Sequence, residues 1–265
     1  MKDLLTNKYK TSVMTQALKA KQLLPSFESY KEQDFQNKTK EFRRRLQNGE
    51  ELESIIPEAL ALCAVAIRRK LGYKPFDVQL LAASALSDNL VCEMKTGEGK
   101  TLVQILSSYI HSLEATKAPN DQKSVHILTA NEYLALRDRE QNKSVFELLG
   151  LSTSYVEDKS HSSEDGYKKR KQEAYNADIV YATAQTVAFD YMEDNHAKRR
   201  ENIYINKPMY HAIFDEADDI LLDQAVTPLV LSGSMQGLEV NKVDDSILWG
   251  TNFVFGLNRG NKPLK

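Results

Sequence analysis

The sequence predicts an α/β fold in which a mostly parallel sheet is covered by helices on both faces. From residue 88 onward, short apolar runs alternate with amphipathic stretches of helical length. Two apolar runs lead directly into chemistry-bearing residues, a glycine-rich turn at 93–101 and a pair of acids at 215–216. Because parallel sheets bind ligands at the carboxyl ends of their strands, both segments point to one edge of the sheet.

The first 72 residues follow helical patterns. Residues 1–24 place apolar side chains and lysines in a loosely amphipathic arrangement. A solvated helix docked on the core is the simplest interpretation, and a helix that binds a membrane surface or a partner is the alternative. Residues 35–72 hold two further helical patterns separated by Gly49, and Pro57 falls early in the second, where proline is tolerated.

The alternation after residue 88 predicts five strands and four helices. The strands are Leu90–Met94, Val125–Ala130, Ser152–Val156, Asp178–Ala182 and Tyr210–Phe214. The helices span 99–116, 131–149, 165–176 and 184–194. Beyond Ser232 both periods fade, so the tail at 233–265 has room for a short hairpin but not for an independent core.

Composition narrows the classes of function. The 265 residues carry a net charge of -2, so no global positive field favours a nucleic acid partner. Cys63 and Cys92 lie in apolar runs without a CxxC or Cys/His cluster, which argues against a metal site or disulfide framework and fits a reducing cytosol. The histidines are scattered without ligand spacing. Secretion and membrane spanning are disfavoured, because the sequence has neither a signal-peptide pattern nor an apolar run of about 18 residues.

The glycine-rich segment has the pattern of a phosphate-binding loop between a strand and a helix. Gly97 and Gly99 allow the tight turn that directs N–H groups at a helix N-terminus towards phosphate oxygens. Lys100 supplies a positive charge for the β and γ phosphates, and Thr101 a hydroxyl for Mg²⁺. Met94 stands where the usual pattern begins with glycine, a departure typical of helicase-like nucleotide-binding folds. The candidate contacts are Thr96, Gly97, Glu98, Gly99, Lys100 and Thr101.

The segment 211–218 is an apolar strand that ends in two carboxylates. Asp215 is suited to hold Mg²⁺ through water, and Glu216 to polarise the attacking water. An acidic helix N-terminus, stabilised by the helix dipole, is the alternative interpretation. The pairing with a phosphate loop favours the metal and water roles, and we expect this strand to lie beside the strand that precedes the loop.

Together these segments resemble the SecA preprotein translocase ATPase family, in its first nucleotide-binding domain, which has a RecA-like, helicase-type P-loop fold. The similarity covers about 200 residues and is far more specific than a phosphate loop alone. It rests on the loop Met-x-Thr-Gly-Glu-Gly-Lys-Thr, on the acidic segment, and on Lys38–Arg43, Ile56–Ala59, Phe76–Leu81, Thr129–Asp138, Phe189–Asn195 and Thr227–Gly233.

The resemblance implies a motor that uses ATP and Mg²⁺ to move unfolded preproteins through the SecYEG channel. By position, Gln79 would read the adenine edge with Phe76 near the ring, and the catalytic residues would be Lys100, Asp215 and Glu216. The implied location is the cytoplasm with peripheral membrane association, and an anionic membrane surface is a further partner to consider. Nucleic acid is not expected, and the oligomeric state is left open.

Two segments depart from the family pattern. Residues 181–184 read Tyr-Ala-Thr-Ala where the family usually has Tyr-Gly-Thr-Asn, and residues 223–229 carry Gln224 and Val226 where it has an acid and an arginine. These changes suggest an accessory, second-type SecA.

The resemblance also divides the chain. We expect a helical extension at 1–34, the RecA-like domain at 35–232, and at 233–265 a divergent tail that is either the truncated start of a preprotein-binding domain or disordered. A second motor domain would lie beyond Lys265, so ATP hydrolysis by this chain alone is expected to be slow.

Two other functions stay open at this point. One is a non-enzymatic nucleotide-binding module that binds translocon partners or a complete motor. The other is a fragment of a DEAD-box-like RNA helicase, because residues 215–218 spell Asp-Glu-Ala-Asp. Against the helicase, residues 129–134 lack the Pro-Thr-Arg-Glu-Leu stretch of such enzymes, and the basic clusters lie on separate helices, as solvated faces do.

Overall fold

The computed structural model of the chain describes residues 7–117, 122–157, 164–197 and 199–224. Within these ranges the regular elements follow the chain as α1 (Asn7–Phe27), α2 (Glu32–Gln47), α3 (Leu52–Leu71), α4 (Asp77–Ser87), α5 (Lys100–Ala115), β1 (Ser124–Thr129), α6 (Glu132–Leu148), β2 (Thr153–Tyr155), α7 (Glu164–Tyr175), β3 (Ile179–Thr183), α8 (Ala184–His196) and β4 (Met209–Phe214). A short π-helical turn at Asp219–Asp223 follows β4.

The four strands form one parallel sheet in the order β2-β3-β1-β4. Val125 of β1 is paired with Ile179 of β3, and Leu128 of β1 with Phe214 of β4. Every side chain of β1 and β3 is buried, as expected for central strands of a parallel sheet covered on both faces. The predicted α/β class, with a mostly parallel sheet flanked by helices, is therefore confirmed.

The predicted strand Leu90–Met94 is wrong. The described sheet does not include this segment, which has no regular secondary structure, and the strand expected beside it, β4, is paired with β1 instead. Side-chain exposure still alternates along the segment, and Val91 is 95% exposed. The alternation produced the prediction, but a strand also needs a hydrogen-bonded neighbour, and none is found among the described residues.

The core on one face of the sheet is centred on α3. From Ile55 to Ile67 every side chain of this helix except Glu58 is buried. Its small residues allow close approach to α5, where the Cys63 thiol lies 4.0 Å from the Ile105 carbonyl oxygen. Packing against α3 therefore helps to hold α5, the helix that starts at the phosphate loop, against the core.

The N-terminal helix α1 packs against α3 and α4. The Ser84 hydroxyl bonds to the Gln16 side chain in a buried contact, and Lys21 pairs with Asp77 at 2.6 Å. This packing corresponds to the docked-helix interpretation of residues 1–24. The described residues all lie in one unit that spans 1–228, and the predicted boundary at 232/233 and the tail fall outside them. No described helix is both long and apolar enough to cross a membrane.

The opposite face of the sheet carries α7 and α8, which are joined by a buried polar network. Lys171 of α7 pairs with Asp190 of α8 at 2.5 Å, and the Tyr175 hydroxyl donates to the same carboxylate at 2.6 Å. Asp194, one turn further along α8, accepts from the backbone N–H groups of Tyr204 and Ile205. The Phe189–Asn195 segment that resembles the family therefore has a structural role, because it anchors the loop that leads into β4.

Two buried histidines make stability depend on pH. Burial lowers the pKa of His126 to about 4, with the Lys207 charge as a second cause. Burial and the neighbouring His211 ring lower the pKa of His111 to about 3. A hydrogen bond to the Leu86 backbone acts in the opposite direction but is the smaller effect. An unfolded imidazole titrates near 6.5, so only the unfolded chain takes up these protons as the pH falls below that value.

We therefore expect the free energy of unfolding to fall between pH 6.5 and pH 5, by about 1.4 kcal/mol per pH unit for each histidine. Urea unfolding at pH 7.5, 6.5 and 5.5 measures this slope. His126→Leu should remove one histidine's share at little cost at pH 7.5, because neither ring nitrogen of His126 has a hydrogen-bond partner among the described residues. An unchanged slope in that variant would contradict the prediction.

Candidate functional site

The predicted phosphate loop is a tight turn that opens directly into α5. The Glu98 N–H donates to the Lys95 carbonyl at 3.2 Å, and the Glu98 carboxylate accepts from the Lys95 N–H at 3.0 Å. Gly97 and Gly99 have φ values of 85° and 80°, in the left-handed region that favours glycine. The Leu102 N–H donates to the Gly99 carbonyl at 3.0 Å, but the N–H groups of Lys100 and Thr101 have no backbone partner among the described residues, as an anion site requires.

Lys100 and Thr101 form the first turn of α5 and are both half-buried. Neither side chain is bonded to another described residue, so the ammonium and the hydroxyl are free to meet a ligand. A positive charge and the helix dipole act in the same direction here, and both favour phosphate. The chemistry of this turn fits a polyphosphate with a bound Mg²⁺.

Gln79 joins α4 to the phosphate loop. Its side-chain amide accepts from the Phe76 N–H at 2.9 Å and donates to the Glu98 carbonyl at 2.8 Å. An amide has two donors and two acceptor lone pairs, so these two bonds leave one of each unused, in a residue that is only 4% exposed. The Phe76 ring is 71% exposed and available for stacking on a base.

The close approach of Gln79 makes Gly99 more sensitive to substitution than Gly97. A Cβ atom at Gly99 would lie 2.2 Å from the Gln79 amide nitrogen, whereas a Cβ atom at Gly97 would meet nothing within 4 Å. Either alanine costs about 1–2 kcal/mol for the left-handed backbone. Gly99→Ala should cost about 1–3 kcal/mol more, because Gln79 must leave its two bonds.

Urea unfolding of Gly99→Ala and Gly97→Ala without nucleotide measures the difference between the two glycines. The two variants add the same methyl group at similar φ values, so each controls for the other. Equal losses of stability would show that Gln79 does not hold the loop.

The acidic residues follow the last strand of the sheet. The Asp215 N–H extends the pairing of β4 by donating to the Leu128 carbonyl at 2.9 Å. Asp215 is half-buried, and Glu216 is exposed with a φ of 54°. A left-handed backbone costs a glutamate about 1–2 kcal/mol. Such strain is common at functional sites, so the conformation of Glu216 is typical of an active-site residue.

The direction of α5 relative to β4 follows from two side-chain contacts. His111 of α5 stacks on His211 of β4, with ring centroids 3.5 Å apart and planes inclined by 16°. Glu114, one turn later in α5, contacts the hydroxyl of Tyr210, one residue earlier in β4. A later helix residue thus meets an earlier strand residue, so the helix and the strand run antiparallel.

This direction brings the two predicted motifs to one edge of the sheet. From His111 back to Lys100 the helix covers about 16 Å at 1.5 Å per residue. From His211 forward to Asp215 the strand covers about 13 Å at 3.3 Å per residue. The two segments start at the stacked histidines and run in the same direction over similar lengths, one along α5 and the other along β4. The phosphate loop and the acidic segment therefore lie at similar heights at the carboxyl edge of the sheet.

The sequence motifs gave no role to Arg137 and Asp138, which lie near the acidic segment. The Arg137 Nε donates to the buried Asp138 carboxylate at 2.8 Å. That bond raises the pKa of Arg137, and the charge of Asp215 contributes to the increase. Both residues belong to the 129–138 segment, which contributed to the family resemblance but received no functional assignment from the sequence. The structure adds a cation near the acidic edge.

Metal-ligand clusters and surface clefts are two other kinds of candidate site that the described residues could contain. The described chain has no cluster of three or more His, Cys, Asp or Glu residues suited to a metal ion. A cleft of about 390 Å³ lies between α6, β2 and α7, at the sheet edge opposite β4, and includes Arg139, Tyr155 and Glu157 but none of the predicted site residues.

A comparison with protein families agrees with the nucleotide-binding fold and site described above. The family described as the SecA DEAD-like domain matches residues 2–248, which is most of the chain. The match includes the phosphate loop, the acidic segment and every residue that the structure describes.

Proposed function

This chain belongs to the SecA DEAD-like domain family, and we propose that it binds ATP together with Mg²⁺ as the first nucleotide-binding domain of a protein-translocating motor. The observation that carries the proposal is the antiparallel arrangement of α5 and β4. It supports a single site at the carboxyl edge of the sheet that includes both Lys100 and Asp215.

Each residue of the proposed site has a distinct task. The N–H groups at the start of α5 and the Lys100 ammonium would bind the phosphates, while Gln79 and Phe76 would hold the adenine. Thr101 and Asp215 would hold Mg²⁺, which neutralises the charge of the phosphates. Glu216, the exposed carboxylate, would orient the attacking water.

For the partners, the support is family membership. We propose unfolded preproteins and the SecYEG channel, with cytoplasmic location and peripheral attachment to the membrane. Cosedimentation with SecYEG-containing vesicles, beside protein-free vesicles of the same lipids, tests this part. Binding to both vesicle types alike would mean a lipid surface rather than the channel.

Calorimetric titration with ATP and Mg²⁺ tests the proposal directly, and the same titration with GTP tests the role of the base. We expect ATP to bind and GTP to bind more weakly, because Gln79 matches the donor and acceptor pattern of adenine. Tight RNA binding with a steep loss between 50 mM and 200 mM salt would instead favour the helicase alternative. No nucleotide binding would favour a pure interaction module.

A further inference from the structure

The contact between His111 and His211, called the histidine pair below, joins the phosphate-loop helix to the strand of the acidic segment. His111 is 4% exposed, and His211 is half-buried. The rings are nearly parallel, with centroids 3.5 Å apart. Burial lowers the pKa of both rings, so the pair is neutral at neutral pH and the stack is not opposed by charge.

Between the histidine pair and the phosphate loop, α5 has a polar face without polar attachments. Gln104, Ser107 and Ser108 lie on the same face as His111, at helical spacing. All three are buried, yet their side-chain polar atoms have no hydrogen-bond partner among the described residues. The N-terminal half of α5, between the phosphate loop and the histidine pair, is therefore not held in position by a side-chain hydrogen bond of any of these three residues.

Only two side-chain contacts described here join α5 to β4 by ring or polar groups, and the histidine pair is the one nearer the site. The other is the contact of Glu114 with Tyr210, one turn further from the phosphate loop. A shift of α5 along β4 would move Thr101 relative to Asp215. Of these two contacts between α5 and β4, the histidine pair is the one better placed to resist such a shift.

We propose that the histidine pair is a positioning device that sets the distance between Thr101 and Asp215, and so determines how well the site holds Mg²⁺ with a nucleotide. This inference rests on the proposed function. Neither histidine needs to touch the ligand, because both act through the helix and the strand that carry the ligand-binding residues.

The test compares His211→Ala and His211→Phe with the wild-type chain by calorimetric titration of ATP, with Mg²⁺ and with EDTA. The readout is the ratio of the two affinities, the Mg²⁺ enhancement. His211→Ala should lower this ratio about two- to tenfold, which is the worth of one aromatic pair, and leave the affinity in EDTA unchanged. His211→Phe restores an aromatic face and should restore the ratio. His196→Ala, at an exposed position on α8, is the control.

Three results would overturn the inference. The first is an unchanged ratio in His211→Ala. The second is an equal fall of both affinities, which would mean that the pair only stabilises the fold. The third is a His211→Phe variant that does not recover the ratio. If the wild-type chain binds no ATP in either buffer, the proposed function itself fails.

A second measurement needs no variant. The imidazole NMR signals of His111 and His211 should change on addition of ATP with Mg²⁺, and change less with ATP in EDTA. Signals that ignore Mg²⁺ would contradict the proposed positioning role. The exposed His196 provides an internal control, because its signal should stay constant throughout.

Discussion

Lys100→Ala should weaken ATP binding about 10- to 100-fold, the expected effect of losing hydrogen bonds to a charged group. Lys100 is the first residue of α5 and is not bonded to another described residue, so its charge is available to phosphate. The backbone N–H groups of the loop remain in the variant, so binding should be weakened rather than abolished. Calorimetric titration with ATP and Mg²⁺ measures the change.

Lys40→Ala is the matched control for this loss of charge. Lys40 is exposed on α2, far along the chain from the loop, and its loss changes the net charge equally. An affinity lowered equally in both variants would mean that the effect comes from the overall charge. An affinity unchanged in Lys100→Ala would mean that the loop does not bind phosphate.

Strands and helices with a clear local signal were predicted to within a few residues. The first of the paired strands, predicted at Val125–Ala130, is Ser124–Thr129, and the helix predicted at 131–149 is Glu132–Leu148. The Leu90–Met94 prediction failed because strand pairing depends on a neighbour, which local alternation does not contain. Helix α4 was missed because its apolar residues run on from Leu80 to Ala83 and show no helical period.

The candidate site shows the same division between local and tertiary information. The phosphate loop and the acidic segment could be identified because each is a short motif whose chemistry is local. The histidine pair could not, because it joins residues about 100 positions apart and has no motif of its own. The bond from Gln79 to the Glu98 carbonyl was missed for the same reason, although the sequence did indicate Gln79.

Glu216→Gln should bind ATP and Mg²⁺ as well as the wild-type chain but lose turnover about 10²- to 10⁴-fold, the usual worth of a general base. Asp215→Asn should differ in that the Mg²⁺ enhancement of ATP binding is reduced and turnover falls with it, because Asp215 is the proposed metal holder. Only the Glu216 variant is therefore expected to lose chemistry while it keeps nucleotide binding. Turnover is measured with and without a SecA-type second motor domain added in trans, since an arginine supplied by a partner accelerates related sites about 10³- to 10⁵-fold.

Glu216→Gly separates the chemistry of this residue from its backbone strain. Glycine adopts the φ of 54° without steric strain, and this gain should exceed the cost of the entropy that glycine adds to the unfolded chain. The variant should therefore be more stable than the wild-type chain by up to about 1 kcal/mol, while turnover in trans is lost. Urea unfolding and the trans assay measure the two effects on the same protein. A glycine variant that is no more stable would show that the backbone strain at Glu216 does not exceed the entropic cost of glycine. A Glu216→Gln variant with full turnover would show that another group activates the water.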